Sequence, residues 1–329
     1  MAIVSGSSRF NVIDINQLGR MLVLEDLDKE LEIALAMLRF KQIWAEKDPP
    51  NAAQYDVENL EFDPIRILQE TNVDLRIKLR DRVNQAARAV TLAFAIGTDL
   101  DGIASRYPVG PRLPVVENPR PYESNPEDYE SDFSYRRRTQ LSLNATSPHG
   151  PSGAYMFFAL TADPALRDAS EMAIEGEGEV ILTVMADSPP VRFEVEPFNW
   201  NYFTDPTPDQ DRVLAIRAYV LDAYRKAATD VLTVSTPNIV DTKYRIKVWF
   251  YPPPDKNTMM LKLRDKLEAL VEDQRWLGHD HTRMAIDAAL FQEGVHRTVI
   301  EEPAEDIFVN PRGVVRVTDI ILEYMGRSE

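Results

Sequence analysis

Apolar residues recur along this chain with two distinct periods, and the switches between them divide it. Leu24, Leu27, Leu31, Leu35 and Leu38 recur at the three- and four-residue spacing of one helical face, with Glu25, Asp26, Asp28, Glu30 and Glu32 crowding the first turns. Because a helix N-terminus favours negative charge, the pattern predicts a helix from Leu24 to about Lys47. A second helical region is predicted from Asp63-Pro64-Ile65, where proline suits a first turn, to Ile96 in one or two pieces. Its end, residues 86–96, is apolar nearly all round and predicts a buried segment.

Six prolines between Pro108 and Pro126, set among acidic and polar residues, predict an extended connector and a domain boundary. Helical periodicity returns at Phe133 to Leu143 and Ala154 to Thr161. Alternation of period two then predicts a strand at Glu179 to Met185. A helix over Gln210 to Ala228, with Val213, Ile216, Val220 and Ala223 on one face, and a strand at Val231 to Ser235 follow. The C-terminal part reads as strand Tyr244 to Tyr251, helices Asn257 to Trp276 and Arg283 to Phe291, and strands Val295 to Glu301 and Val314 to Tyr324. The fold class is α+β: a helical domain (1–112), a Pro-rich acidic connector (113–132), a middle α+β domain (133–237) and a C-terminal α+β domain (238–329). Long strands in so small a C-terminal domain leave edges to be covered, so residues 238–329 are the candidate dimerisation domain, while residues 1–112 are expected to stay apart.

Length and composition narrow what such a chain can do. At 329 residues and 44% hydrophobic it can bury more than one core, and no low-complexity tract or fixed-period repeat interrupts it. The formal charge of -16 disfavours nucleic acid and acidic bilayers as partners. The absence of cysteine removes disulfides, thiolate metal sites and cysteine nucleophiles together, and suits a protein made in a reducing cytosol. The first residues lack a basic stretch followed by an apolar one, and no uncharged apolar run approaches the roughly 18 residues of a membrane span. No export or membrane signal is expected.

Four constellations could carry chemistry, and each has a structural alternative. Asp99 and Asp101 before Gly102 imitate the start of a calcium loop, but the fifth and twelfth loop positions are Ile103 and Gly110, which carry no ligand oxygens in their side chains. The expected roles are structural: Gly97 closes the preceding helix in a left-handed conformation, Thr98 caps the next, and Asp101 reaches back to the Thr98 amide. Leu100, Ile103, Ala104 and Tyr107 would then face the core. The pair His279 and His281 follows Gly278 and lacks a third ligand nearby, so an exposed loop is expected. Arg136, Arg137 and Arg138 could hold phosphate, but among Asp128, Glu130 and Asp132 they are expected to serve ion pairs or an interface. The run Glu175-Gly176-Glu177-Gly178 reads as a hairpin connection rather than an acid-base pair. No phosphate loop, nucleophile elbow or zinc-protease helix is present, and no cofactor or metal is expected.

Two features suit an interface. Leu24, Leu31 and Leu38 make a heptad-like face for a core or a partner helix, and Phe193, Phe198, Trp200, Tyr202 and Phe203 concentrate aromatic residues in one stretch. Trp249, with Arg245 and Lys247, lies on the opposite side of its strand from Tyr244, Ile246, Val248 and Phe250.

Taken in order, many short stretches resemble the bacteriophage baseplate J-like protein family, the wedge proteins of contractile tails. The resemblance begins at Val12-Ile13-Asp14-Ile15 and Phe62-Asp63-Pro64-Ile65, and is most specific from Arg82-Val83-Asn84-Gln85-Ala86-Ala87-Arg88 to Ala104. It continues through Tyr129-Glu130-Ser131-Asp132, Tyr135-Arg136-Arg137-Arg138, Gly153-Ala154-Tyr155, Ala162-Asp163-Pro164, Leu277-Gly278, Ala288-Ala289-Leu290 and Glu293-Gly294-Val295. The sequence departs from the family pattern at Ser188 to Asp205, which lengthens a usually short turn, and near residue 18, where a Pro-rich start is missing. The resemblance implies a structural, non-enzymatic subunit of the virion tail baseplate, assembled in the host cytoplasm. It would join a second copy of itself and a different wedge protein through a helical bundle, with neighbouring wedges closing into a ring around the central hub and spike. A tailocin or other injection machine would use the same subunit. The competing reading is a soluble acidic enzyme with a carboxylate or His279/His281 metal site.

Overall fold

A computed structural model describes residues 3–7, 23–55, 62–146, 153–174, 178–222, 225–227, 229–251 and 255–327. Val12 to Ile15, the region near residue 18, Glu175 to Glu177, Ala223 and Ala228, all singled out in the sequence, lie outside the described residues. The chain divides into two compact units, residues 15–103 and residues 1–14 with 104–329.

The first unit is helical. Helix α1 spans Lys29–Lys47, α2 Pro49–Ala52 and α3 Pro64–Ala89, and α4 (Gly97–Ala104) runs to the edge of the unit. α1 starts later than predicted because Asp28 takes an extended conformation and accepts the Leu31 amide at 3.0 Å, a side-chain cap that makes Leu24 to Leu27 a lead-in rather than a first turn. Asp63 caps α3 in the same way, with Pro64 in its first turn. Ile33 and Met37 of α1 pack on Val73 of α3, with Ala36, Tyr55, Ile65 and Ile77 around them. The segment 86–96 is not buried all round: α3 stops at Ala89, a turn carries the chain on, and Val90 and Ile96 are exposed while Ala95 is buried.

In the second unit a short strand β1 (Ile3–Ser7) pairs antiparallel with β2 (Leu166–Ile174), so the first residues leave the helical domain to which the sequence assigned them. β2 pairs antiparallel with β3 (Glu179–Ala186), and β3 pairs parallel with β6 (Val231–Ser235), giving the order β1-β2-β3-β6. Helices α5 (Asp132–Leu141), α6 (Ala154–Ala162) and α7 (Gln210–Val220) accompany this sheet. α7 ends eight residues before the predicted Ala228, in a turn at Leu221.

Between β3 and α7 the chain forms a hairpin, β4 (Val191–Glu196) and β5 (Asn199–Phe203). β5 pairs with β9 (Gly313–Arg327), so the hairpin extends the C-terminal sheet in the order β4-β5-β9-β7-β8, where β7 is Asn238–Phe250 and β8 is Val295–Glu302. The boundary expected at 237 therefore falls within one unit, and one strand edge expected to need a second copy is covered by β5 of the same chain. Met185 of β3, Ile239 of β7, Leu277 and Val314 of β9 form a shared cluster between the two sheets. Alternation on β7 buries Tyr244, Ile246, Val248 and Phe250 beneath Met260, Leu263 and Leu267 of α8 (Lys256–Gln274), with α9 (Arg283–Leu290) adding Ile286 and Leu290.

Candidate functional site

The helical unit carries apolar residues on faces that its own packing leaves open. At 3.6 residues per turn, Leu31, Leu35 and Leu38 lie across α1 from Ile33 and Met37, and they are 59%, 49% and 55% exposed. On α3, Leu68, Leu75 and Leu79 lie across the helix from Val73 and are likewise exposed. Each helix thus has an inner stripe spent on the other and an outer stripe of leucines in solvent. A groove of about 320 Å³ between Glu30, Ile33, Ala34, Met37, Leu38, Lys41 and Arg66 opens beside them. Leu24 is placed differently: its amide and that of Val23 donate to the Asn84 carboxamide oxygen at 2.9 and 3.0 Å, and the Asn84 NH2 donates to the Leu24 carbonyl at 2.9 Å. Buried Asn84 is a clamp on the lead-in to α1, which takes Leu24 out of the leucine stripe.

The aromatic stretch is divided by its own alternation. Trp200 and Tyr202 point from β5 into the core under α8 and are 4% and 2% exposed, so they serve their own sheet and not a surface. Burial pushes the Tyr202 hydroxyl up to about 12. Phe193 and Phe203 stay exposed, and Trp249 is half-buried under the Arg297 guanidinium, 5.2 Å from its ring centroid.

The three arginines expected to serve ion pairs or an interface are all buried. Arg138 donates to both Glu130 carboxylate oxygens, at 2.5 and 3.2 Å, and to the carbonyls of Val109 and Pro111 at 2.8 and 2.9 Å. Arg112 donates to Asp132 at 2.6 Å and lies over Tyr122 and Tyr135. Residues 113–132 are therefore no extended tether: charge and backbone carbonyls bind their two ends to α5, Pro114 bridges Tyr129, and Arg120 holds the Asp128 carboxyl at about 2. Arg137 donates to the Arg167 carbonyl at 2.7 Å and faces Asp168 at 3.6 Å. Asp168, wholly buried on β2, also accepts the amide of Leu277 at 3.1 Å. The Trp276 ring lies between the guanidinium groups of Arg137 and Arg167, 5.5 and 4.8 Å from its centroid. Burial lowers the Arg137 pKa from its ordinary value, with Asp168 opposing. A cleft of about 280 Å³ lined by Ser131, Phe133, Ser134, Leu166, Arg167, Asp187 and Trp276 opens beside this cluster.

The histidine pair is not an exposed loop. His281 is fully buried, its Nδ1 is 2.7 Å from the Tyr244 hydroxyl, and its backbone pairs with Ile307 in both directions. Burial holds its pKa down at about 4, so it is neutral at physiological pH. His279 bonds to the Asp280 carbonyl, and the two rings are 6.4 Å apart. Among the described residues no group of three or more His, Asp or Glu is placed to hold a metal. Sequence reasoning missed Glu171, buried on β2, where its carboxylate accepts the Gly153 amide at 3.2 Å and desolvation raises its pKa to about 7. Gly97 has φ +54° where α4 begins, and a turn closed by the Ala95 amide on the Thr91 carbonyl separates it from α3, the helix it was expected to close. Leu100, Ile103 and Ala104 are buried.

No helix among the described residues is long and apolar enough to cross a membrane. Residues 61–117 match the family model of the Baseplate J-like N-terminal domain, which takes in the stretch from Arg82 to Ala104 that carries the most specific resemblance. Over 299 residues, 91% of this chain and 93% of the relative, the chain is 29% identical to baseplate protein J of Escherichia phage P2. With one match on the N-terminal helices and the other along almost the whole chain, the chain is similar to the baseplate J-like family over most of its length.

Proposed function

We propose that this chain is a structural subunit of the baseplate of a contractile phage tail or related injection machine, and that it performs no catalysis. In this reading it is a wedge protein. Its helical unit joins a second copy and a different wedge protein in a bundle, and neighbouring wedges close into a ring around the hub and spike. One observation carries the reading: α1 and α3 each expose a leucine stripe on the side facing away from the other. Two helices packed together hide only their inner stripes, so outer stripes of Leu31, Leu35 and Leu38, and of Leu68, Leu75 and Leu79, are what the inner helices of a larger bundle would carry. The similarity to baseplate protein J of Escherichia phage P2 supports the same role. The virion is then the protein's final place, reached after assembly in the host cytoplasm.

The test is assembly. Leu31→Lys with Leu38→Lys leaves Ile33, Met37 and Val73 in place, so the purified variant is expected to keep its helix content and thermal midpoint while tails made with it lack complete baseplates in electron micrographs. Complete baseplates from that variant would refute the leucine face as the joining surface.

A further inference from the structure

The hairpin β4–β5 lies where the sequence departs from the family pattern, and it ends the five-stranded sheet with an open strand. β4 pairs with β5 on one side, Val191 with Phe203, Arg192 with Tyr202, Phe193 with Asn201 and Glu194 with Trp200, and among the described residues the sheet order gives it no neighbour on the other. All six of its residues are exposed, Val191, Phe193 and Val195 by 56%, 55% and 55%. The ladder fixes the faces. Arg192 and Glu194 share the side of Tyr202 and Trp200, where Arg192 pairs with Glu268 of α8 at 2.5 Å. Val191 and Phe193 share the other side with Phe203, itself 47% exposed. An apolar patch thus runs to the very edge of the sheet.

We propose that β4 pairs antiparallel with β4 of a second copy about a two-fold axis at Phe193, joining two five-stranded sheets into one. The argument is self-complementarity. Antiparallel partners on one face must be an even number of residues apart. Centring the axis on Phe193 sets Phe193 against its own copy on the apolar face and Arg192 against Glu194 of the partner on the other, in both directions. Centring it on Arg192 or on Glu194 sets like charges directly opposite, which is destabilising. Only the register at Phe193 puts unlike charges together and buries the aromatic ring. The bulge between Glu194 and Glu196 limits the regular edge to Val191 through Glu194, so the contact is short and the dimer weak. The pairing rests on the proposed self-association only for the identity of the partner. It also moves the contact from residues 238–329, where long strands suggested it, to a hairpin outside that segment.

The chain has no cysteine, so single cysteines report the geometry without background. Opposed Cα atoms in an antiparallel pair are about 4.5 to 5.5 Å apart, within reach of a disulfide. In the full-length chain Phe193→Cys is expected to form a disulfide dimer under mild oxidation at least tenfold faster than Met284→Cys, an 81% exposed control on α9. A mixture of Arg192→Cys and Glu194→Cys chains is expected to cross-link more than either alone. Phe193→Cys dimerising no faster than Met284→Cys, or Arg192→Cys alone matching the mixture, overturns the register. Sedimentation of the unmodified chain separates this from self-association at large: a dimer without the cross-link pattern removes β4 while leaving a second copy as partner. A monomer into the high micromolar range, with no cross-link, removes the β4 contact and leaves the leucine faces to their own test.

Discussion

Glu171 and His281 titrate in the same pH window with opposite consequences for stability, which makes the pair a sensitive test of the structure. Burial raises the Glu171 carboxyl from 4.5 to about 7 and lowers the His281 imidazole from 6.5 to about 4. For Glu171 the folded state holds a proton that the unfolded chain has released, so its contribution is fully present below pH 4.5 and is lost as pH rises to about 7. For His281 the unfolded chain takes up a proton that the folded state refuses, so its contribution is present above pH 6.5 and is lost as pH falls towards about 4. At about 1.4 kcal/mol per pH unit, the segment from pH 7 to 5 covers roughly 2 to 3 kcal/mol for Glu171, and pH 6.5 to 5 covers roughly 2 kcal/mol for His281. The two nearly cancel in the native chain. Urea unfolding from pH 5 to 8, followed by tryptophan fluorescence, reads the unit that holds both groups, since Trp200, Trp249 and Trp276 lie there and only Trp44 lies in the helical unit. Relative to the native chain, Glu171→Gln is expected to gain stability as pH rises from 5 to about 7, and His281→Asn to lose it as pH rises from 5 to about 6.5, each levelling off above, whatever constant offset each substitution brings. The double variant should run parallel to the native curve. Single-variant curves parallel to the native one across this range would refute the burial of both groups as described.

Arg138→Ala leaves Glu130 buried without its partner and is expected to cost about 3 to 5 kcal/mol, whereas Arg138→Met with Glu130→Leu should lose far less, because a buried pair offsets little more than its own desolvation; urea titrations of the two variants decide it. On α4, Gly97 has φ +54° and Gly102 does not, and an added Cβ meets nothing within 4 Å at either. Gly97→Val should therefore lose about 1 to 3 kcal/mol through backbone strain, while Gly102→Ala gains up to about 1 kcal/mol from helix propensity. Equal thermal midpoints for Gly97→Val and the native chain would refute the cap that we propose Gly97 to make with Thr98 and Asp101.

Most of the elements were legible because their signals are local. Asp63-Pro64 and the methionine and leucine stripe of α8 sit at the spacings that helices require, and β3, β6, β7, β8 and β9 show their alternation plainly. β2 was missed because Asp168 and Glu171 make it read as polar, and what permits their burial lies far away in sequence: the Leu277 amide for one, the Gly153 amide for the other. The hairpin β4–β5 was read as a lengthened turn although Val191-Arg192-Phe193-Glu194 and Asn199-Trp200-Asn201-Tyr202 both alternate. Its turn, at Pro197 and a positive-φ Phe198, carries none of the glycine or asparagine that usually marks one. On α1 the periodicity was right, and whether the leucine face meets the core or a partner was left open. Leu31, Leu35 and Leu38 make one apolar stripe, Ile33, Met37 and Phe40 another, and spacing alone cannot say which meets α3.

Both large surprises break the same rule in opposite directions. Arginine is among the residues least often fully buried, and exposed leucines in a row are rare on a chain that works alone. Here Arg138 is 1% exposed and Leu31 is 59% exposed. Arg137 and Arg138 are accounted for within the chain, because their guanidinium groups meet carboxylates, carbonyls or an aromatic face that replace the water they gave up. That dense polar knot ties the segment after residue 104 to α5 and α5 to β2, which gives the larger unit a fixed frame where an apolar core of the same size would permit several packings. The leucines of the helical unit have no such account within the described residues. Water is the wrong environment for them, and in the proposed bundle the same stripes lie inside. A subunit built this way can carry both features at once. Its polar interior ties the larger unit together, and in the proposed bundle its apolar exterior on α1 and α3 is what assembly would cover.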